Sequence, residues 1–282
     1  MGSQVQSLPC PPSYALTGFG WRAIYIPLLL GKWAGFILAG MEQDTYRRMA
    51  EIQNGHWWYE ARRQILRSVI ARLKLPRPAR VLEAGSGTGA NLTMLAEFGS
   101  VQGFEPDDYA REIARKTAAV ETHRGFLPDD IPYEGPYDLV CAFDVIEHVE
   151  RDAASVTALY RLTVPGGYAV FTVPAFMFLW SKHDEVNHHF RRYTLPQFKG
   201  LLQNAGYQVE FISYYNMFLF PLVVAVRFLK QALKTSGDPD DKMPRLPFVN
   251  GLLRGIFAAE RFLLAVMPLP VGVSVIAVCR RS

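Results

Sequence analysis

Apolar and polar positions follow two periods along this chain. Short apolar runs of strand length occur at Val101–Phe104, Val120–His123, Tyr137–Phe143 (YDLVCAF), Tyr168–Val173 (YAVFTV), Tyr207–Ser213 and Val273–Cys279, and another ends at Val81 and Leu82. Between them, Asn91–Leu95, Asp108–Ala118, Ala153–Leu162 and Leu195–Ala205 carry apolar residues at helical spacing. Thr194-Leu195-Pro196-Gln197 reads as an N-cap with proline in the first turn. Strands alternating with helices predict an α/β chain with a doubly wound parallel sheet.

Three regions depart from that rhythm. Residues 1–40 open with a polar, proline-rich stretch and continue into Ala23–Ala39, apolar but broken by Pro27, Gly31, Lys32 and Gly35. They read as an extension, with the functional chain expected to start near Met41. Residues 41–75 read as lid helices: apolar Tyr59, Ile65, Leu66, Val69, Ile70 and Leu73 share a helical face, and Arg62, Arg63, Arg67 and Arg72 fall largely elsewhere. Residues 214–271 hold two apolar segments, Phe218–Leu229 and Leu252–Leu269, around a polar loop. Arg227, Arg254, Glu260 and Arg261 interrupt them, so a pair of amphipathic helices in the membrane interface is expected rather than a span. Residues 76–213 and 272–282 form the core.

Composition narrows the function classes. Half the 282 residues are hydrophobic, and 30 basic against 26 acidic residues leave a net charge of +4. That charge is too small and scattered for nucleic acid, and it suits an anionic membrane surface. Cys10, Cys141 and Cys279 are far apart, so no disulfide framework or zinc site is implied.

The candidate chemistry centres on Arg80–Leu95, RVLEAGSGTGANLTML. A strand end, three alternate glycines (Gly85, Gly87, Gly89) and a helix start make a cradle in which a ligand meets backbone. The dinucleotide fingerprint needs Gly-x-Gly-x-x-Gly, and Glu83 beside the loop would repel a pyrophosphate, which weighs against a nicotinamide oxidoreductase. Glu105 follows the next strand at the distance where an acid takes a ribose diol. Together with FDVIEHV and the PGG turn at Pro165–Gly167, these residues resemble class I S-adenosylmethionine-dependent methyltransferases, with core motifs similar to ubiquinone-pathway O-methyltransferases. HWWYEARR and the Trp180–Tyr193 loop resemble one bacterial subgroup of them.

The resemblance implies a Rossmann-like seven-stranded sheet, its last two strands antiparallel and separated here by the helical, membrane-facing insertion. It implies S-adenosyl-L-methionine as cofactor, with Glu83 towards the methionine ammonium, Gly85, Gly87 and Gly89 as the cradle, and Glu105 on the ribose. Phe126 would wall the adenine and Phe143 line the cleft. Asp144, Glu147 and His148 resemble a position where some quinone O-methyltransferases hold a divalent cation; capping is the favoured role here, and no metal ligand is assigned. His189 is the preferred base over His183 and His148, with Asp184 as an orienting partner. Trp180, His183, Arg191, Arg192 and Tyr193 are expected to bind substrate, the arginines clamping a phosphate or carboxylate. The expected function is methylation of an oxygen or nitrogen on a hydrophobic or lipid-linked small-molecule acceptor at the cytoplasmic face of the membrane, by a peripheral or monotopic protein, with a membrane-spanning arrangement as the alternative. A catalytically inactive scaffold is the competing reading, disfavoured by the intact glycines and both acids.

Overall fold

The computed structural model describes residues 43–118, 120–233 and 247–282. The extension read at 1–40 and most of the polar loop at 234–247 lie outside them.

Among the described residues, two helices precede the sheet, α1 (Gln43–Ile52) and α2 (Trp57–Ile70). Then come β1 (Ala79–Ala84), α3 (Ala90–Leu95), β2 (Gly99–Phe104), α4 (Asp108–Ala118), β3 (Thr122–His123) and β4 (Tyr137–Phe143). After a 3-10 turn at Ile146–His148 follow α5 (Asp152–Leu162), β5 (Thr163–Pro174), α6 (Lys182–Val186), α7 (Leu195–Asn204) and β6 (Tyr207–Tyr215). Helices α8 (Phe220–Leu233) and α9 (Pro247–Leu263) lead to β7 (Ser274–Arg281). The seven strands are ordered β3-β2-β1-β4-β5-β7-β6, and β7 runs antiparallel to both neighbours.

The period-2 pattern of the strands explains the two cores. In β4, Leu139, Cys141 and Phe143 face one side, while Val140 and Ala142 face the other. The first side is covered by α2, through Ala61, Ile65, Leu66, Val69 and Ile70, and by Phe257 and Ala258 of α9. The second is covered by Val156 and Leu159 of α5 and Phe198 and Leu202 of α7. Fully burying each such aliphatic side chain contributes about 1.5–3 kcal/mol.

Helix α9 is therefore part of the core on one face, and it clasps α2. Asn250 accepts the Trp57 N–H at 2.8 Å and donates to the Gly55 carbonyl at 2.6 Å, capping the start of α2. Arg254 donates to Glu60 at 2.6 Å. Among the described residues no helix is long and apolar enough to cross a membrane.

The sheet order reverses between β1 and β4. Open α/β sheets hold ligands beyond the strand ends at such a switch point. The glycine loop follows β1 there, and the Asp144–His148 segment follows β4.

Candidate functional site

The cradle is built mainly from backbone. Gly85, Gly87 and Gly89 take φ of +66°, +51° and +86°, angles that favour glycine. They do different jobs. A Cβ on Gly85 would lie 2.6 Å from a Val145 methyl, and one on Gly89 would lie 2.8 Å from the Ala114 backbone. A Cβ on Gly87 would meet nothing within 4 Å. Gly85 and Gly89 thus let neighbouring elements approach, while Gly87 borders open space.

The two acids flank this loop. Glu105 is almost fully buried; it accepts the Gly87 N–H at 2.9 Å, the Asp107 N–H at 3.2 Å and the Tyr46 hydroxyl at 2.9 Å. Burial raises its pKa despite those donors. Glu83 is fully buried at the end of β1, with one oxygen accepting from Asn91 at 2.9 Å and the other lacking a partner. Burial pushes its pKa up to about 8, against the Asn91 hydrogen bond and the Arg62 charge. Helix α1 closes over the loop: besides Tyr46, it is followed by Gln53, which accepts the Thr88 hydroxyl at 2.6 Å. Phe143 is buried at the end of β4. Phe126 is half-buried, and its backbone N–H and carbonyl both pair with Asp130, which leaves its ring as the feature it can offer.

Arg62 is the residue the helical pattern placed wrongly. It lies on the buried side of α2, ion-paired with Asp144 and donating to the Thr172 hydroxyl at 3.1 Å. Its guanidinium sits 5.3 Å from the Trp58 ring centroid and 5.7 Å from that of Phe143. Burial works against its charge; the Asp144 carboxylate, together with smaller contributions from Tyr215 and Glu83, overcomes that and holds its pKa above the usual arginine range. Asp144 itself takes a φ of +56°. The Asp144-Glu147-His148 cluster is consequently split, with Asp144 turned to Arg62.

Glu147 and His148 meet the 180–193 loop instead. One oxygen of Glu147 and one ring nitrogen each of His148 and His189 lie within 4.8 Å of one another. The His148 and His189 rings pack edge to face at 4.4 Å, and the His183 ring lies 6.2 Å from His189. Glu147 is fully buried and has no hydrogen-bond partner beyond its own backbone amide. Burial, then the Asp144 charge, raise its pKa well above the carboxylate range. Burial, then His189, lower the pKa of His148 to about 3, so it is neutral.

Asp184 is the anchor of this side. It is fully buried, faces Nδ1 of His189 at 2.9 Å, and accepts two hydrogen bonds from Arg192 at 2.7 and 3.0 Å. Burial alone would raise its pKa; His189 and Arg192 overcome that and hold it below the usual carboxylate range. Arg191 and Arg192, expected to clamp a substrate anion, both have partners within the chain. Arg192 is buried on Asp184 and the Ala175 carbonyl, and Arg191 is engaged by Asp152 and the Glu150 carbonyl. Tyr193 is likewise buried, donating to Asp152 at 2.9 Å. Trp180 and His183 remain half-exposed.

Comparison with known proteins gives a consistent answer. A family model described as "Methyltransferase domain" matches residues 57–211, more than half the chain. A curated relative from Mycolicibacterium smegmatis, named "Probable S-adenosylmethionine-dependent methyltransferase", is 28% identical over 134 residues, 46% of this chain and 52% of that protein. The chain thus spans about half the length of the curated relative it matches. Among solved structures, an S-adenosylmethionine-dependent methyltransferase from Thermotoga maritima superposes with a TM-score of 0.52 at 18% identity, covering 85% of this chain and 96% of that one. A TehB-like one from Corynebacterium glutamicum gives 0.51 at 16%, covering 91% and 100%. Both share the fold. The strand order, the glycine cradle at the switch point and the family match together place this chain in the class I methyltransferases, a family whose cofactor is S-adenosylmethionine.

Proposed function

We propose that this protein transfers a methyl group from S-adenosylmethionine to an oxygen or nitrogen of a hydrophobic or lipid-linked small molecule at the cytoplasmic membrane surface. The cradle fits the cofactor on two observations: Gly87 borders open space, and Glu83 carries a buried oxygen without a partner. Glu83 would meet the methionine ammonium, and Glu105 the ribose diol. The bound cofactor supplies a sulfonium methyl that is reactive without further activation. The chain's own residues then have to align the acceptor, exclude water and take up its proton. In the ion-free chain His189, oriented by Asp184, is the residue suited to receiving that proton.

The observation that carries the acceptor class is a line of aromatic side chains joining the insertion to the acceptor loop. Phe220 of α8 lies 6.5 Å from Phe178, and Phe178 stacks on Phe176 at 5.2 Å. Large apolar side chains are also exposed on both insertion helices: Leu222, Phe228 and Leu229 on α8, and Phe248 (81% exposed), Leu252 and Phe262 on α9. Exposed large apolar side chains in such number are what a membrane-facing surface would present. Arg227 of α8 comes within 4.0 Å of Asp184, a second link between insertion and loop. With no spanning helix among the described residues, these faces are read as lying on the bilayer rather than crossing it.

Flotation with phosphatidylglycerol-containing liposomes tests this reading. The full chain is expected to float, and a Phe228→Ser/Phe248→Ser/Phe262→Ser variant to float far less, with S-adenosylhomocysteine binding unchanged. A full chain that stays at the bottom of the gradient removes the support for a lipid-linked acceptor.

A further inference from the structure

We propose that Glu147, His148 and His189 form a binding site for a single divalent transition-metal ion, of the zinc, iron(II), manganese(II) or cobalt(II) type. The donor set is two imidazole nitrogens and one carboxylate oxygen, within 4.8 Å of one another. Metal–ligand bonds of about 2.0–2.2 Å put ligand atoms roughly 3–4 Å apart, so closure needs only small side-chain rotations. Two nitrogens and one oxygen favour a borderline transition metal over calcium or magnesium, which prefer oxygen alone.

Three independent observations point to a cation. Glu147 is fully buried and neither of its oxygens is hydrogen-bonded to another residue, a costly arrangement that a bound cation removes. Second, both imidazoles are held the way ligand histidines are held. A carboxylate can only accept, so Asp184 fixes the His189 proton on Nδ1 and leaves the Nε2 lone pair available. The His148 ring is hydrogen-bonded to the Asn187 backbone, which leaves its other nitrogen in the same condition. Carboxylate or carbonyl partners behind a histidine are what orient it and raise its basicity towards a metal. Third, the support behind His189 is itself locked, because Arg192 grips both oxygens of Asp184. The two halves are also tied directly: the Phe190 N–H donates to the Glu147 carbonyl at 2.8 Å.

This ligand set is not the contiguous acid-x-x-Glu-His cluster of the sequence. Asp144 is withdrawn by Arg62, and the third ligand comes from a loop 41 residues after His148. Three protein ligands leave positions open. With the ion bound, His189 is a ligand and no longer a base; a hydroxyl oxygen entering an open position would instead release its proton to water near neutral pH, and that use, though not the binding itself, rests on the methyl-transfer reading.

The test uses the full chain, stripped with chelator and titrated with cobalt(II) and zinc(II), each followed by elemental analysis. One ion per chain is expected, with a visible cobalt absorption band and a higher melting temperature for the stripped protein on adding zinc(II). Glu147→Gln, which keeps the side-chain size, should weaken binding at least 100-fold and abolish the band. His189→Asn should do the same. A wild-type chain that binds no ion, or variants that bind as tightly as wild type, would overturn the proposal. The wild-type titration and its melting shift decide the matter even where a variant fails to fold. Calorimetry with S-adenosylhomocysteine runs in parallel: binding of that ligand without any ion sinks the metal site alone, whereas its failure to bind counts against the methyl-transfer reading.

Discussion

The two sides of the switch point are built by different means. Beyond β1 and β2, the cradle is made of backbone at positive φ, with Glu83 and Glu105 as the principal charged groups. Beyond β4 and β5, the proposed acceptor side is made of side chains: Arg62 on Asp144, Arg192 and His189 on Asp184, and Glu147 and His148 between them. A backbone cradle depends on conformations that a few glycines make accessible. A buried charge network depends on every partner being present, because removing one leaves another uncompensated. The first should therefore be tolerant of polar changes around it, and the second brittle.

The sharpest way to break that contrast is Asp184→Asn. It leaves Arg192 buried without its counter-charge, and should cost about 3–5 kcal/mol of folding stability, read by denaturant unfolding. The sign with pH follows from its depressed pKa: the stabilisation is present above the ordinary value of 3.8 and is lost on acidification through the folded value. Acid melts of wild type and variant should converge at low pH.

On the cradle side, Glu105→Ala should leave the fold intact and weaken S-adenosylhomocysteine binding by about 1.5–3 kcal/mol, the worth of hydrogen bonds to a charged group. Isothermal calorimetry reads it. An unchanged affinity would mean that Glu105 serves only Tyr46 and the Gly87 N–H.

A smaller effect separates the sides by pH. The Glu83 pKa stands at about 8 in the free protein, so meeting an ammonium requires losing a proton. Affinity should rise with pH, by at most about tenfold per unit, and level off near pH 8. Glu83→Gln should flatten that rise. For folding the sign is opposite: a raised acid stabilises most below its ordinary pKa of 4.5, and this contribution falls as pH climbs towards 8.

How legible each side was in sequence follows from the same difference. Strands, helices and the glycine cradle are local, and periodicity with glycine spacing located them; β4 falls on Tyr137–Phe143 as read, and α4 on Asp108–Ala118. The parallel sheet follows from the alternation of strands and helices, and the antiparallel final pair from family resemblance. The acceptor side depends on contacts between distant segments. Helical spacing put Arg62 among the outward arginines, because periodicity reports average polarity and cannot show a carboxylate 82 residues away. Asp144, Glu147 and His148 looked like one helical face, but the positive φ at Asp144 turns it aside. Arg191 and Arg192 are adjacent, and nothing local reveals that one packs on Asp152 and the other on Asp184. Asp184 with His189, five residues apart on one loop, was the exception, and it was read correctly as a pair.

The most direct test of the central claim is calorimetry of S-adenosylhomocysteine and NAD on wild type and Gly87→Val. Valine would place a branched side chain in the open space of the cradle, at a φ of +51° that disfavours it by about 1–3 kcal/mol. Wild type should bind S-adenosylhomocysteine and not NAD, and the folded variant should bind S-adenosylhomocysteine far more weakly. Equal binding by the two proteins, or binding of NAD in place of S-adenosylhomocysteine, would contradict the account.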